Sequence, residues 1–140
     1  MATILVPVDG SANALRAVDY LVSHYAGKGR PYVHLLNVQR PVTGDVGRFL
    51  DHEQILSLHR NQGYESLATA REKLDSAGIP YAVHIGVGDP AETIIEYARE
   101  KACEEIVMGR HGHGAIATLL LGSVSAAVNS RAGVPVHVVD

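Results

Sequence analysis

Five short apolar segments, separated by segments of helical periodicity, are the feature of this chain that most limits its fold. They are Thr3–Val8, Tyr32–Val38, Tyr81–Val87, Glu105–Met108 and Val134–Val139. Apolar runs of this length, rich in β-branched residues and bounded by Gly, Pro or Asp, are typical of strands that are buried on both faces. Strands that alternate with helices pair in parallel, so the pattern predicts an α/β fold with a parallel sheet between two layers of helices.

Four helical segments connect these strands, and each has a start or a stop signal. The predicted helices are one that begins after the capping Ser11 and ends before Gly27, one over about Asp51–Ala77, one that begins with Asp89 and Pro90, and one over Ser123–Arg131. Gly78 and Pro80 end the second helix in the manner of a helix C-terminus. Gly63 lies inside that helix and counts against it, because glycine disfavours helix interiors.

The order of the strands follows from the chirality of their connections. Right-handed crossovers leave few arrangements, and the order 3-2-1-4-5 places the most apolar strands at the centre of the sheet. This order predicts a doubly wound, three-layer fold in which residues 1–140 form a single domain. The direction of winding reverses between strands 1 and 4. Ligands bind at such a switch point, so the loops after those two strands are the expected ligand-binding region.

Composition narrows the class of protein. With 140 residues, 46% apolar and 19% charged, the chain is expected to fold around a packed core. Its net charge of -3 provides no basic surface for nucleic acid, which is not an expected partner. The single cysteine, Cys103, is expected to be a buried or half-buried small apolar residue. Neither a secretory leader nor a run of about 20 apolar residues is visible, so we expect a cytoplasmic protein without a membrane segment.

The loop after strand 4 has the most unusual glycine spacing in the chain. Gly109 and Gly112 are followed, after nine intervening residues, by Gly122 and Ser123 at the start of the last helix. Glycines let the backbone approach a ligand closely, and the free amides at a helix N-terminus favour an anion. The spacing differs from both the P-loop and the dinucleotide-binding fingerprint. It predicts a phosphate site built from backbone amides, with added hydroxyl donors from Ser123 and Ser125.

Four segments of the chain resemble the universal stress protein family, in its nucleotide-binding branch. They are Ile4–Ser11 (ILVPVDGS), Val107–Gly114 (VMGRHGHG), Leu119–Val124 (LLLGSV) and the last strand, Val134–Val139. The resemblance implies a sheet of the adenine nucleotide alpha hydrolase-like type, with ATP bound between strands 1 and 4. It also implies a homodimer joined through the last strand, and an apolar, uncharged edge strand favours such pairing. Association of dimers into tetramers stays open.

The resemblance also implies which residues contact the nucleotide. Pro7, Val8 and Asp9 would border the adenosine, Val38 and Met108 would pack on the adenine, and Gly109 would approach the ribose. Arg110 belongs to the same set, and the residues implied around the phosphates are Gly112, His113, Gly122, Ser123, Val124 and Ser125. Asn37 and Gln39 flank Val38 and make the adenine wall more polar.

Some of these residues have ordinary alternative roles. Gly109 and Gly112 are also suited to be simple turn glycines, and Asp9 to cap the helix that follows it. If Asp9 contacts the nucleotide, the ribose hydroxyls or a Mg²⁺ ion are better partners than the phosphates, which its carboxylate repels. His111 and His113 lie two residues apart, but without a cluster of carboxylates or cysteines they do not predict a metal site.

The sequence favours a regulatory protein that binds ATP with Mg²⁺ and acts through its nucleotide-dependent state or through an unidentified protein partner. A slow Mg²⁺-dependent ATPase is the second hypothesis, although no residue stands out as a general base and none is assigned as catalytic. The third is a dimeric interaction module whose site is empty or holds AMP, and ADP is a further candidate for the bound nucleotide. The segment Pro41–Arg60 carries no motif, and its role is not predicted.

Overall fold

The computed structural model describes residues 2–41, 50–110 and 123–140. In chain order its elements are β1 (Thr3–Pro7), α1 (Ala12–His24), β2 (Tyr32–Gln39), α2 (His52–Ala77), β3 (Tyr81–Val87), α3 (Pro90–Glu100), β4 (Glu105–Gly109), α4 (Ser123–Arg131) and β5 (Val136–Val139). Every strand and helix predicted from the sequence is present.

The strands form a five-stranded sheet in the order β3-β2-β1-β4-β5, which confirms the predicted order. All four strand pairs are parallel. In the central strand, Ile4 lies opposite Val33 of β2 on one side and Glu105 of β4 on the other. Ile4 and Leu5 are completely buried, as expected for a strand that is covered on both faces.

Helices cover both faces of the sheet, as predicted. The face covered by α1 and α2 has a core that includes Val6, Val18, Leu21, Leu35 and Leu67. The face covered by α3 and α4 has a core that includes Leu5, Leu36, Ile94, Ile106 and Val128. Successive side chains of a strand point to opposite faces, which is why Leu5 and Val6 belong to different cores. Each fully buried aliphatic side chain stabilises the fold by about 1.5–3 kcal/mol.

Ser11 and Gly78 act as the helix signals that the sequence predicted, and the second helix has a capping box that was not predicted. The Ser11 hydroxyl accepts a hydrogen bond from the Ala14 backbone N–H at 3.2 Å and caps α1. Asp51 caps α2, and its side chain and that of Gln54 each accept a hydrogen bond from the other residue's backbone N–H. Gly78 ends α2 with φ at +69°, a left-handed conformation that favours glycine.

Gly63 does not interrupt α2, and close packing explains why glycine stands there. A Cβ atom at this position would lie 2.7 Å from Cδ1 and 2.8 Å from Cγ1 of Ile85 in β3. The helix therefore approaches β3 more closely than a larger residue would permit. The contact with the sheet compensates for the low helix propensity that counted against Gly63 in the sequence.

The last strand is shorter than predicted. It begins at Val136 rather than at Val134, and it ends at Val139 as expected. Gly133 precedes it with φ at +73°, and Pro135 has no N–H to donate to a neighbouring strand. The Pro135 carbonyl still accepts a hydrogen bond from the Ile106 N–H at 3.0 Å, so the chain reaches β4 one residue before regular pairing starts.

Cys103 lies after α3 and is buried, as the sequence predicted. Its burial raises the pKa of the thiol to about 11, because the ionised form would lose its hydration. Over the described residues, no helix has both the length and the apolar character that crossing a membrane requires.

Candidate functional site

The loop after β1 and the end of β4 lie side by side at the carboxyl edge of the sheet. β1 and β4 are neighbours, and the strands that follow them in the chain lie on opposite sides of this pair, so the ends of β1 and β4 form a topological switch point. Pro7, Val8 and Asp9 lie at and beyond the end of β1, and Gly109 and Arg110 lie at the end of β4. The structure therefore brings together these two groups of predicted site residues in the place where α/β sheets bind ligands.

Hydrogen bonds from β2 fix the loop that follows β1. Val8 is buried, and its backbone N–H donates to the Leu36 carbonyl at 2.8 Å. The Val8 carbonyl accepts a hydrogen bond at 2.9 Å from Nδ2 of Asn37, a side chain only 2% exposed. The sequence indicated only that Asn37 adds polarity near Val38, whereas the structure shows its amide holding the β1 loop in place. The signal in the sequence was a polar Asn near the end of an apolar run, but its partner is 29 residues away and could not be identified from it.

Asp9 shapes the turn that leads into α1. Its Oδ1 atom accepts a hydrogen bond from the Ser11 N–H at 2.9 Å, and Gly10 between them has φ at +86°. The cap of α1 is Ser11 and not Asp9, so the simple capping role considered for Asp9 is wrong. The Asp9 side chain is half-buried and lines a cleft, where part of it meets solvent.

Gly109 is held against the start of α1. A Cβ atom on Gly109 would lie 2.6 Å from Oδ1, 2.8 Å from the carbonyl oxygen and 2.9 Å from the carbonyl carbon of Asn13. Two of these atoms belong to the backbone of α1 and have little freedom to move. The packing of α1 on β4 therefore requires glycine at this position, whether or not a ligand is bound.

Arg110 joins the end of β4 to β5 and to α4. Its backbone N–H donates to the Val139 carbonyl at 2.8 Å, and its guanidinium Nε pairs with the Asp140 carboxylate. Its carbonyl accepts a hydrogen bond from the Ser125 hydroxyl at 2.7 Å. Ser125 is 1% exposed, so this bond anchors the first turn of α4 beside the end of β4. The sequence predicted Ser125 as a phosphate donor, and in this structure its hydroxyl donates to the protein backbone.

Ser123, Val124 and Ser125 form the first turn of α4. Backbone N–H groups in the first turn of a helix have no acceptor within the helix, and the helix dipole gives this end a partial positive charge. The anchored turn therefore presents anion-binding potential close to the end of β4. Gly112, His113 and Gly122, together with His111 and Gly114, lie outside the described residues, and their predicted roles stay predictions.

The two residues predicted to pack on adenine lie on the same face of the sheet. Val38 of β2 and Met108 of β4 both belong to the core beneath α3 and α4, and Pro7 of β1 points to that face by strand alternation. Met108 is 4% exposed, so Val38, which is half-buried, presents more surface to a ligand. The structure places these three side chains at the carboxyl ends of three adjacent strands.

A polar cleft of about 480 Å³ opens on the α2 side of the β1 loop. Its lining residues are Asp9, Gly10, Leu15, Gln39, Gln62, Glu65, Ser66 and Thr69. The sequence predicted Asp9 here but missed the four residues from α2. Their spacing of three or four residues marks a polar stripe on one side of a helix, which is the signal that identifies them. With two carboxylates and several amides and hydroxyls, this cleft suits hydroxyl groups or a cation better than a phosphate.

A metal centre formed by protein side chains is not found in residues 2–41, 50–110 and 123–140, where no group of three His, Cys, Asp or Glu side chains is suitably arranged. The predicted contact set includes a single carboxylate, that of Asp9. A Mg²⁺ ion held by this carboxylate alone would need further oxygen ligands from a bound phosphate or from water.

Comparisons with known proteins agree with this geometry. The family model described as "Universal stress protein family" matches residues 1–140. Universal stress protein YxiE of Bacillus subtilis is 31% identical over 146 residues, which cover 97% of each chain. The solved structure of the hypothetical protein MJ0577 is similar with a TM-score of 0.83 and 28% identity, over 99% of this chain and 94% of that one. A universal stress protein in complex with cAMP is similar with a TM-score of 0.70 and 27% identity, over 99% and 96%.

Proposed function

The chain belongs to the universal stress protein family, and from this premise we propose that it binds an adenine nucleotide, ATP, at the carboxyl edge of the sheet between β1 and β4. The observation that carries the proposal is the meeting of the β1 loop, the end of β4 and the anchored first turn of α4 at the switch point. The similar protein in complex with cAMP supports an adenine nucleotide as the class of ligand.

The charges along the site support one orientation of the nucleotide. Asp9 and Glu65 make the α2 side of the site acidic, whereas the N-terminus of α4 favours negative charge. The adenosine therefore lies towards Asp9 and Val38, with its ribose hydroxyls near the Asp9 carboxylate. The phosphates lie towards Ser123 and the glycine-rich loop, where Mg²⁺ accompanies them. This orientation keeps the phosphates away from both carboxylates.

The proposed activity is regulated binding rather than catalysis. The described part of the site offers backbone amides, hydroxyls and the Asp9 carboxylate, which suffice for recognition. We further propose that the protein forms a homodimer through β5, an edge strand in the described sheet that carries Val136, Val138 and Val139. The Arg110 N–H bonded to Val139 connects this strand directly to the site.

Calorimetric titration of the nucleotide-free protein with ATP, ADP, AMP and cAMP, with and without Mg²⁺, tests the proposal. We expect ATP with Mg²⁺ to bind most tightly and its hydrolysis to be negligible during the titration. A folded protein that binds none of the four nucleotides would refute the assignment. Measurable release of phosphate during the titration would instead establish the slow ATPase.

Ser123→Asp is the sharpest variant for locating the phosphates. An acidic residue in the first turn stabilises the helix, so the variant is expected to fold normally. Its charge should repel the phosphates and weaken ATP binding by about tenfold to hundredfold, since a unit charge a few ångströms away contributes about 1–3 kcal/mol near a surface. Ser76→Asp introduces the same charge at the exposed C-terminal end of α2 and should leave binding unchanged. Equal affinity of Ser123→Asp and the parent protein would place the phosphates elsewhere.

A further inference from the structure

Two histidines on adjacent strands form a direct hydrogen bond on the α3 face of the sheet. His34 of β2 and His84 of β3 approach with their Nδ1 and Nε2 atoms 2.8 Å apart, although 50 residues separate them in the chain. We propose that this bond is a proton-sensitive link, which fastens the edge strand β3 to β2 near neutral pH and is lost when both imidazoles become protonated.

The geometry of the pair suits a shared proton. The ring centroids are 5.0 Å apart and the ring planes differ by 30°. This separation is close to the largest that two imidazoles can reach with these nitrogens 2.8 Å apart, so the nitrogens face each other almost along a line. Their lone pairs do not converge on a common point in front of both rings, as metal ligation would require. One proton between the two nitrogens satisfies both rings.

The number of protons on the pair decides whether the link exists. When both imidazoles are neutral, one ring donates its N–H and the other accepts it. A first additional proton binds to the donor ring, on the nitrogen that faces away from the other histidine, and leaves this bond intact. A second additional proton turns both facing nitrogens into donors, which removes the acceptor and places two positive charges side by side. Full protonation therefore replaces an attraction between the strands with a repulsion.

The surroundings of the pair oppose its protonation. The Tyr32 ring of β2 contacts His34, the Tyr97 ring of α3 contacts His84, and the Lys101 ammonium follows α3. Burial lowers the pKa of both imidazoles, and the positive charge of Lys101 lowers it further; His84 is also affected by His34. None of the resolved influences on either pKa comes from a carboxylate among the described residues.

The direction of the pH dependence follows from these shifts. Both imidazoles bind protons less readily in the folded protein than in the unfolded chain, where the pKa of histidine is about 6.5. Below that pH the unfolded chain therefore binds more protons than the folded protein. The stabilisation is complete above about pH 6.5 and is lost as the pH falls through the lower pKa values of the folded state.

Loss of the link acts on a strand that is paired on one side only. β3 is the outermost strand on its side of the described sheet and pairs only with β2. Beyond its carboxyl end, the Gly88 N–H donates to the Gln39 carbonyl at 3.0 Å, and Gln39 lines the polar cleft. Acidification should therefore loosen β3 first and then the wall of the cleft that Gln39 contributes.

Hydrogen exchange of the β3 amides at pH 7.5 and 5.5, corrected for the intrinsic pH dependence of exchange, tests the proposal. In the parent protein, protection should fall by up to about tenfold for each histidine, because pH 5.5 lies about one unit below the unfolded pKa. In the double variant His34→Gln/His84→Gln, whose amides can still bond across the strands, protection should change by less than about twofold. His52→Gln, at an exposed histidine of α2, should behave like the parent.

The same fall in protection in the parent and the double variant would overturn the proposal. If the double variant does not fold, NMR titration of the imidazoles in the parent protein provides the test. His34 and His84 should titrate as a coupled pair below pH 6.5. Independent titration of both rings at or above that pH would overturn the proposal.

Discussion

Replacing Gly109 with alanine tests whether glycine is needed at the end of β4 for packing against α1 or for binding the ligand. The φ of Gly109 is not positive, so its backbone accepts an alanine, and only the space around the new methyl group opposes the change. That methyl carbon would lie 2.6–2.9 Å from three atoms of Asn13, whereas ordinary contacts begin at 3.4 Å. Because two of the three are backbone atoms, α1 itself has to shift. Overpacking of this kind costs about 1–3 kcal/mol, from which a smaller unfolded-state gain of about 0.4–1 kcal/mol is subtracted.

Urea unfolding of the nucleotide-free protein measures this effect. We expect Gly109→Ala to lower the free energy of unfolding by about 1–2 kcal/mol. Gly29→Ala is the matched control, because a Cβ there would meet no atom within 4 Å, and its stability should be unchanged or slightly higher. If Gly109→Ala kept the parent's stability and lost only ATP binding, glycine would be required for the ligand and not for α1.

Three further predictions concern contacts away from the glycine-rich loop. Asn37→Ala removes the donor to the buried Val8 carbonyl, and urea unfolding should show a loss of about 1–3 kcal/mol; an unchanged midpoint would mean that water replaces the amide. Gly63→Ala should destabilise the parent by up to about 2 kcal/mol but stabilise an Ile85→Ala background, and additive effects would contradict the close approach of α2 to β3. At pH 8, Cys103 should react with iodoacetamide at least about tenfold more slowly in the native protein than in urea, because burial raises its thiol pKa to about 11. Equal rates would show that the thiol is accessible.

Local signals explain why the fold could be predicted from the sequence. Ser11, Asp51 and Asp89 cap helices by bonding to backbone N–H groups three residues later, and all three contacts are found. The strands are short apolar runs between such caps, and right-handed crossovers then determine their order. The structure differed from the prediction at Gly63 and at the start of the last strand, where packing or the missing N–H of proline outweighed a local rule. Gly63 disfavours a helix in isolation but permits the contact with Ile85.

The site was harder to predict because its contacts join distant parts of the chain. The spacing of Gly109 and Ser125 is visible in the sequence, but their contacts with Asn13 and with the Arg110 carbonyl are not. A hydroxyl that can donate to phosphate can equally donate to a carbonyl, and only the folded backbone decides between them. The polar stripe of α2 belongs to the cleft because α2 packs beside β2. Composition and periodicity do not contain that information.

The length of α2 has a consequence for how this architecture can vary. Its 26 residues span about 39 Å, whereas the eight residues of β2 span about 26 Å. The extra length of the helix is at its N-terminal end, where Glu53 and Leu56 are exposed. The buried residues Leu67, Ala70 and Leu74 lie in its C-terminal half. The N-terminal turns of the helix therefore extend beyond the carboxyl edge of the sheet. None of residues 52–58 is buried, so the helix can change in length by whole turns before His59 without altering a buried contact. The height of the wall beside the polar cleft can therefore vary independently of the core.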